Sequence, residues 1–491
     1  MATPLPRNAV HIVDGSHLAA IVGGTYEQIG PRPADPCCVC TDSREVRQGD
    51  VFVALVGESH DAHTFVVDVA RRGAALVVVS RRVNVPETTG VVRVDDTLVA
   101  LGKLGTWARD GAGALRAVIG ITGSVGKTST KEMCAAVLRA RDPITATEGN
   151  LNNLVGVPRT LLTIDPEHTK FAVVEMGMNV PGEIAKLCAI ARPDIGIVTN
   201  VAPVHTEGVG SVVGVAREKG ALLTSLPEGG TAIYDADEPL LAPHVAASKA
   251  RRKIGFGRHE KADVRIVSRT ARADGQRVSY RIGGDTELVV ELSLLGAGAA
   301  KNAGAVIALA RAVWDGEHLD VAARALGALK PEPGRLCPIA GPGGTVILDD
   351  SYNASPRAVI NAIDTATEIA RATNGRIVAV LGDMLELGAL ETEMHALVGE
   401  HVAVAGVSLF VACGKRMRAA ADEAREMGAD LVVEVDDPMT AIDEVCRFLI
   451  EGDVVIVKGS RGMRMERVVE GILTRTSSAG TLASPVAKER A

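Results

Sequence analysis

The stretch that most constrains this chain is Gly120-Ile121-Thr122-Gly123-Ser124-Val125-Gly126-Lys127-Thr128. The apolar run Ala117-Val118-Ile119 leads into it, and a segment of helix formers, residues 131–141, leads out. A strand that turns through glycines into a helix aims successive backbone N–H groups and a helix N-terminus at one point, where a phosphate can sit. Lys127 would neutralise the β- and γ-phosphates, and Thr128 would offer its hydroxyl to Mg²⁺. The strict G-x-x-x-x-G-K-[ST] spacing fails by one place, because Ile121 stands at the first glycine position and the glycine is Gly120. Gly126-Lys127-Thr128 at the helix start still favours a phosphate loop over a plain strand-to-helix turn. ATP is the expected nucleotide, cradled by Gly123, Ser124, Val125, Gly126, Lys127, Thr128 and Ser129.

A metal needs more oxygen ligands than one threonine. Glu175 directly follows the apolar run 171–174, and His205 follows the run 195–199 through Asn200-Val201-Ala202-Pro203-Val204. In open α/β sheets, ligands gather at the carboxyl ends of strands. Taken alone, Glu175 reads equally as a cap and His205 as a satisfied loop histidine. Beside a phosphate loop they read as Mg²⁺ ligands.

At ~150 residues per domain, the 491 residues suggest about three domains. Apolar runs at 51–55 and 75–79 and a helical segment at 98–108 make a small α/β unit. Residues 260–295 alternate polar and apolar (Val278, Tyr280, Ile282, then Leu288, Val290, Leu292), the period of antiparallel strands, and a helical segment at 301–312 follows. Lys330-Pro331-Glu332-Pro333-Gly334 forbids a continuing helix and reads as a linker. Beyond it, strand-like runs at 346–348, 377–381, 409–412, 431–435 and 454–457 alternate with helices, which predicts a doubly wound parallel sheet. The expected α/β units are therefore 1–112, 113–329 with a mainly parallel sheet, and 330–476, with a disordered tail at 477–491.

Composition excludes other classes. With 2 Trp, 4 Tyr and 6 Phe against 52 Gly, the cores must be filled by Val, Ile, Leu and Ala, as in helix-covered parallel sheets. A net charge of -7, from 53 basic and 60 acidic residues, argues against a nucleic-acid binder. Uncharged runs such as residues 336–348 are too short for the ~20 residues of a membrane span. No secretory signal opens the chain, so a cytoplasmic protein is expected. Eight cysteines are present. Cys37, Cys38 and Cys40 cluster without a second pair to complete a zinc site, which favours reduced thiols.

Together these residues resemble a known family. Residues 120–128, then Gly149-Asn150-Leu151-Asn152-Asn153, Glu175-Met176-Gly177 and 200–208 resemble the ATP-dependent Mur ligases, which build the peptide stem of peptidoglycan precursors. Asp349-Asp350-Ser351-Tyr352-Asn353-Ala354, Leu381-Gly382-Asp383-Met384-Leu385-Glu386-Leu387-Gly388 and Val457-Lys458-Gly459-Ser460-Arg461 are similar to the D-alanyl-D-alanine-adding branch. Asp42-Ser43-Arg44 and Gly49-Asp50-Val51-Phe52-Val53-Ala54-Leu55 resemble the family's UDP-sugar domain. The resemblance spans residues 40–470 in order.

It implies a UDP-substrate domain, a central ATPase domain and a Rossmann-like domain that brings the incoming amine. The implied reaction joins UDP-N-acetylmuramoyl-tripeptide to D-alanyl-D-alanine. The substrate carboxylate would first take the γ-phosphoryl group of ATP. Two anions must meet in that step, so Lys127 and two Mg²⁺ ions would supply positive charge. By resemblance, Thr128 and Glu175 serve the first ion and His205 the second. Lys219 stands where the family often carries a carbamylated lysine beside the second metal; without the resemblance it reads as an ordinary helix lysine. Asn302 matches an asparagine near the adenine, and Arg335 and Asp350 match positions that meet phosphates and ribose. Asp42, Ser43, Arg44, Asn152, Asn153, Tyr352 and Asn353 fall in substrate-binding segments. Lys458 and Arg461 would pair with a substrate carboxylate or stand as solvated charges at a strand end.

The chain departs from the family at Gly298, where a histidine is usual near the adenine, and at Ala62, where glycine is usual in a turn. A monomer is expected. The nearest alternative is a sister ligase that adds a single amino acid, meso-diaminopimelate or lysine, to the dipeptide precursor. A folylpolyglutamate-synthase-like ligase is disfavoured by Asp42-Ser43-Arg44. A non-catalytic nucleotide-binding scaffold would not require Lys127, Thr128, Glu175, His205 and Lys219 together.

Overall fold

The protein, described from a computed structural model over residues 10–57, 60–202, 210–272, 274–284 and 286–478, is built on three sheets in chain order. In the first, Gly90–Arg93, Leu76–Val79, Val51–Val53 and Val39–Cys40 run parallel, and Thr25–Gln28 closes one edge antiparallel. The second has nine strands. Its parallel part places Ala117–Thr122 between Ile195–Val198 and Phe171–Glu175, and continues outward through Thr231–Asp235 and Arg252–Gly257. Val264–Arg272, Gly275–Ile282 and Thr286–Leu292 complete it as the expected antiparallel meander. In the third sheet, Val454–Lys458 lies between Val346–Asp350 and Ile377–Gly382, all parallel, with Leu409–Cys413 and Val432–Val435 beyond.

These strands read as near-continuous apolar runs because helices cover both faces. Ala117–Thr122, Phe171–Glu175, Ile377–Gly382 and Val454–Lys458 are buried at every residue. One antiparallel strand, Cys337–Ala340, edges the third sheet and was not expected. Its Pro338 and short length give little strand signal, and an edge position is where a proline is tolerated. The final helix, Glu466–Ser478, runs past Ser477, where a tail was expected, because Val468, Val469 and Ile472 carry a buried face through its middle. The rest of the expected tail lies outside the described residues. All eight cysteines are unbridged, and Cys37, Cys38 and Cys40 are buried. Among the described residues, no helix is long and apolar enough to cross a membrane.

The three units share apolar cores at their seams. Leu162, which follows the helix Gly156–Leu161, packs into the cluster of the first unit, and Leu295 packs into that of the third. Helix Thr97–Asp110 lies against Gly156–Leu161 with almost no clearance, since a Cβ on Gly105 would sit 2.7 Å from Pro158 Cα. Gly105→Val should therefore lower stability by about 2 kcal/mol in urea denaturation, because the two helices must separate to admit it. On the other side, Arg269 makes a bidentate pair with Glu368 of helix Pro356–Thr373, and Arg357 donates to the Val201 carbonyl at 2.9 Å. The third unit is thus tied over the carboxyl ends of the central strands.

Candidate active site

The glycine-rich loop follows Ala117–Thr122 directly, and its helix begins at Lys127, within the Gly126-Lys127-Thr128 step expected at the helix start. Gly126, in a left-handed conformation (φ 83°), is the N-cap that starts it. A Cβ there would lie 2.7 Å from Asn302 Nδ2, so glycine is needed both for the turn and for the approach of helix Gly296–Val313. Asn200 staples the loop to the neighbouring strand: its Oδ1 accepts from Val125 N–H at 2.9 Å and its Nδ2 donates to the Val125 carbonyl at 2.7 Å. Ser124 is held the same way, accepting from Ala202 N–H at 2.9 Å. Lys127 folds back over the loop, its ammonium 2.7 Å from the Gly123 carbonyl. Burial lowers its pKa, Arg335 acts in the same direction, and Glu175 opposes both.

Glu175 ends its strand with 1% exposure. One carboxylate oxygen accepts from Asn152 Nδ2 at 2.8 Å, and the other is buried with no partner. Asn152 therefore orients Glu175, whereas Asn153 caps the helix Gly156–Leu161 through Val155 and Gly156 N–H. Lys219, in helix Val212–Thr224, is fully buried, and its ammonium nitrogen also lacks a partner. Burial, then the neighbouring charge of Lys127, pushes its pKa well down; Glu218 and Glu175 pull it back only in part. A buried lysine of this kind gives up its proton more readily than a free one. His205 lies outside the described residues.

Facing the loop across a cleft is the third unit. Gly126, Lys127, Thr128, Ser129, Glu175 and Asn302 line one wall, and Arg335, Asp350, Tyr352, Asn353, Lys458 and Arg461 line the other. The Arg335 guanidinium stacks 4.2 Å from the Tyr352 ring centre, and that of Arg461 lies 5.7 Å from the same ring. Lys458 is turned inward and pairs with Asp350 at 2.6 Å. A cleft with a phosphate loop on one side and two arginines on the other is suited to a polyanionic nucleotide meeting a second substrate that carries an anionic group.

Comparison with known proteins agrees. Residues 121–310 match the Mur ligase middle domain, and residues 334–461 match the Mur ligase glutamate ligase domain. The UDP-N-acetylmuramoyl-tripeptide–D-alanyl-D-alanine ligase of Escherichia coli is 37% identical over 438 residues, which is 88% of this chain and 93% of that protein. The Bacillus subtilis ligase of the same name is 36% identical, over 89% of this chain and 93% of its own. The chain belongs to the Mur ligase family. Among solved structures, MurF of Acinetobacter baumannii superposes with a TM-score of 0.84 at 29% identity, covering 95% of this chain and 100% of that one. The MurF ligase of Thermotoga maritima in complex with ADP gives 0.80 at 28% identity, covering 91% and 98%.

Other expected residues of this Mur ligase lie elsewhere. Asp42, Ser43 and Arg44 are absent from the cleft lining; Arg44 folds onto Asp42 in a bidentate pair at 2.9 and 2.5 Å, which holds the Asp42 carboxyl below its usual range. The backbone of Ser43 accepts from Arg72 at 3.1 Å. Gly298 lines the cleft, and a Cβ there would meet open space, so no neighbour replaces the family histidine sterically. Ala62 opens a short helical turn capped by Asp61. Sequence reasoning did not single out Asn200, or Thr147, whose hydroxyl accepts from Glu175 N–H at 3.0 Å. Asn200 stood inside a quoted motif, but only the fold brings it onto the loop. Thr147 carried no signal at all.

The residues present fit Mg²⁺. Among the described residues, no cluster of three or more His, Cys, Asp and Glu forms a protein cage. Mg²⁺ on a nucleotide needs no cage, since it is held by one or two carboxylates together with phosphate oxygens and water. The unpartnered oxygen of Glu175, which lines the same cleft as Thr128, supplies that kind of ligand.

Proposed function

We propose that this Mur ligase joins the terminal carboxylate of UDP-N-acetylmuramoyl-tripeptide to the amine of D-alanyl-D-alanine, with ATP converted to ADP and phosphate, in peptidoglycan precursor synthesis. The observation that carries the reading is the end-to-end relation to ligases of that name, over 93% of the Escherichia coli protein. The two-walled cleft supports it with the chemistry required.

A carboxylate resists attack by an amine because oxide is a poor leaving group. The substrate oxygen attacks the γ-phosphorus, the bond to the β-phosphate oxygen breaks, and ADP departs. The amine then attacks the acyl carbon, phosphate leaves, and the amine gives up its proton. Lys127 and the loop N–H groups hold the phosphates and offset the charge that builds up as two anions meet. Thr128, Glu175 and His205 are the ligands proposed for Mg²⁺, which when bound neutralises phosphate charge. Lys219, a buried amine that gives up its proton more readily than a free lysine, is suited once deprotonated to take up carbon dioxide, forming an N–C bond and releasing a proton. That change makes it an anion beside Lys127 and Glu175. Asn302, by packing on Gly126, would bound the adenine side, while Arg335 and Asp350 would reach the nucleotide from the third unit. Residues 1–112 would hold the UDP portion through Asp42, Ser43 and Arg44, residues 113–329 the ATP, and residues 330–476 the dipeptide through Tyr352, Asn353 and Arg461.

Phosphate release, measured with UDP-muramoyl peptides crossed against D-alanyl-D-alanine and single amino acids, tests the assignment. Release is expected only with a tripeptide precursor plus D-alanyl-D-alanine. Release with a dipeptide precursor plus diaminopimelate or lysine would instead make it the sister ligase.

A further inference from the structure

Lys458 reads from the sequence as a free cation, either pairing with a substrate carboxylate or solvated at a strand end, yet its surroundings leave it none of that freedom. Strands Val346–Asp350 and Val454–Lys458 run parallel with Asp350 directly opposite Lys458. The ammonium carries three hydrogens and meets three acceptors: Asp350 Oδ2 at 2.6 Å, the Asn353 carbonyl at 2.8 Å and, at a longer 3.5 Å, the Asp350 carbonyl. The residue is 3% exposed. The exposed cation at the same strand end is Arg461, whose side chain is 65% accessible.

Asp350 passes this anchorage on. Its second oxygen accepts from Leu336 N–H at 3.0 Å, while Asp349 accepts from Gly334 N–H at 2.9 Å. Gly334 and Leu336 both lie in the left-handed region, at φ 76° and 52°. Glycine adopts that conformation freely; leucine does so only when its surroundings impose it. Arg335 is the residue between them, so the two aspartates fix the turn that carries its guanidinium. Tyr352 N–H donates to the Gly334 carbonyl at 3.0 Å, and both Arg335 and Arg461 lie over the Tyr352 ring.

Resting on the reading of this cleft as the ATP and dipeptide site, we propose that Lys458 is a positioning residue. Through its ion pair with Asp350 it holds the strained turn that aims Arg335 at the nucleotide and the loop that presents Tyr352 and Asn353 to the dipeptide. Removing the lysine leaves Asp350 as a poorly solvated carboxylate without a counter-charge, which must gain a proton or turn toward water. Turning toward water withdraws the oxygen that Leu336 N–H meets, and a proton on Oδ2 weakens the acceptor at Oδ1; in both cases Arg335 and Tyr352 are held less firmly together. A residue on the amine side therefore controls affinity for both ATP and dipeptide.

The test uses the full chain with Lys458→Met, Lys458→Arg, Asp350→Asn and the Lys458→Met/Asp350→Asn pair. ADP affinity is measured by calorimetry, folding by thermal unfolding, and KM values from phosphate release. Lys458→Met is expected to weaken ADP binding and raise KM for D-alanyl-D-alanine by about tenfold each, with KM for the UDP-tripeptide within about twofold. In the Asp350→Asn background, the lysine change should alter ADP affinity by less than about twofold, because the ion pair through which the lysine acts is already gone. Loss confined to the dipeptide KM, with ADP binding intact, would make Lys458 a direct substrate ligand and overturn the proposal. Independent losses in the double variant would overturn it as well. Should Lys458→Met fail to fold, Lys458→Arg carries the same comparison: charge without the same three-acceptor fit gives the joint shift in smaller measure, and a dipeptide-only shift refutes it. If the wild type releases no phosphate with D-alanyl-D-alanine, the assigned reaction fails, and ADP affinity still decides whether Lys458 positions Arg335.

Discussion

Lys127→Ala is expected to lower kcat for phosphate release by about 10³-fold, the scale seen when one preorganised donor to developing charge is removed. The expectation rests on where the ammonium is held. It lies folded over the loop, on the Gly123 carbonyl, at the head of a helix whose N-terminus already favours anions. A nucleotide γ-phosphate offers it a better acceptor than a carbonyl. Lys127→Met keeps the shape and should lose nearly as much, which separates charge from packing. The pH dependence follows in sign. Burial and Arg335 lower the Lys127 pKa below 10.5, and the ammonium is present below the shifted value and lost above it. The alkaline limb of kcat/KM for ATP should thus fall below pH 10.5 and move upward in Arg335→Ala, where a like charge has gone. Retained turnover in Lys127→Ala would remove the loop from the mechanism.

Lys219→Ala should cost about 10²-fold or more in kcat. Part of the loss should be recovered by millimolar formate, acetate or propionate. The side chain is fully buried, its nitrogen has no partner, and the charges it feels most are those of Lys127, Glu218 and Glu175. A plain surface lysine would tolerate truncation; a buried amine with no acceptor is costly unless it is converted to something useful. A carbamate has the charge and shape of a carboxylate, so a small carboxylate entering the cavity left by alanine can stand in for it. Protein equilibrated with ¹³C-bicarbonate should show a carbamate carbon signal that Lys219→Ala lacks. Full activity in Lys219→Ala, unaltered by added carboxylates, would sink the carbamate role.

Much of this was readable beforehand for a definite reason. Runs such as 377–381 and 454–457 are apolar throughout because parallel strands are buried on both faces, so their pattern survives in one dimension. The phosphate loop is equally local, since spacing along the chain sets its geometry. Short or edge strands such as Val39–Cys40 and Cys337–Ala340 lack that signal, because pairing with a distant partner rather than their own pattern makes them strands. The same limit applies to side chains. Asn153 and Asn152 are neighbours in one motif, yet one caps a helix and the other orients Glu175 across 23 residues of sequence.

The sequence by itself determined the three-sheet α/β plan, the phosphate loop and membership of the Mur ligases, because each is written in local spacing and hydrophobic period. Tertiary structure alone decided which charges are spent and which remain available. Lys458 and Arg461 are three residues apart and chemically alike on paper. Strand register places Lys458 against Asp350 and uses all its hydrogens, while the turn after the strand carries Arg461 out to the cleft. Such a distinction depends on what stands opposite a residue in space, and a neighbour 108 residues away leaves no mark on the local pattern.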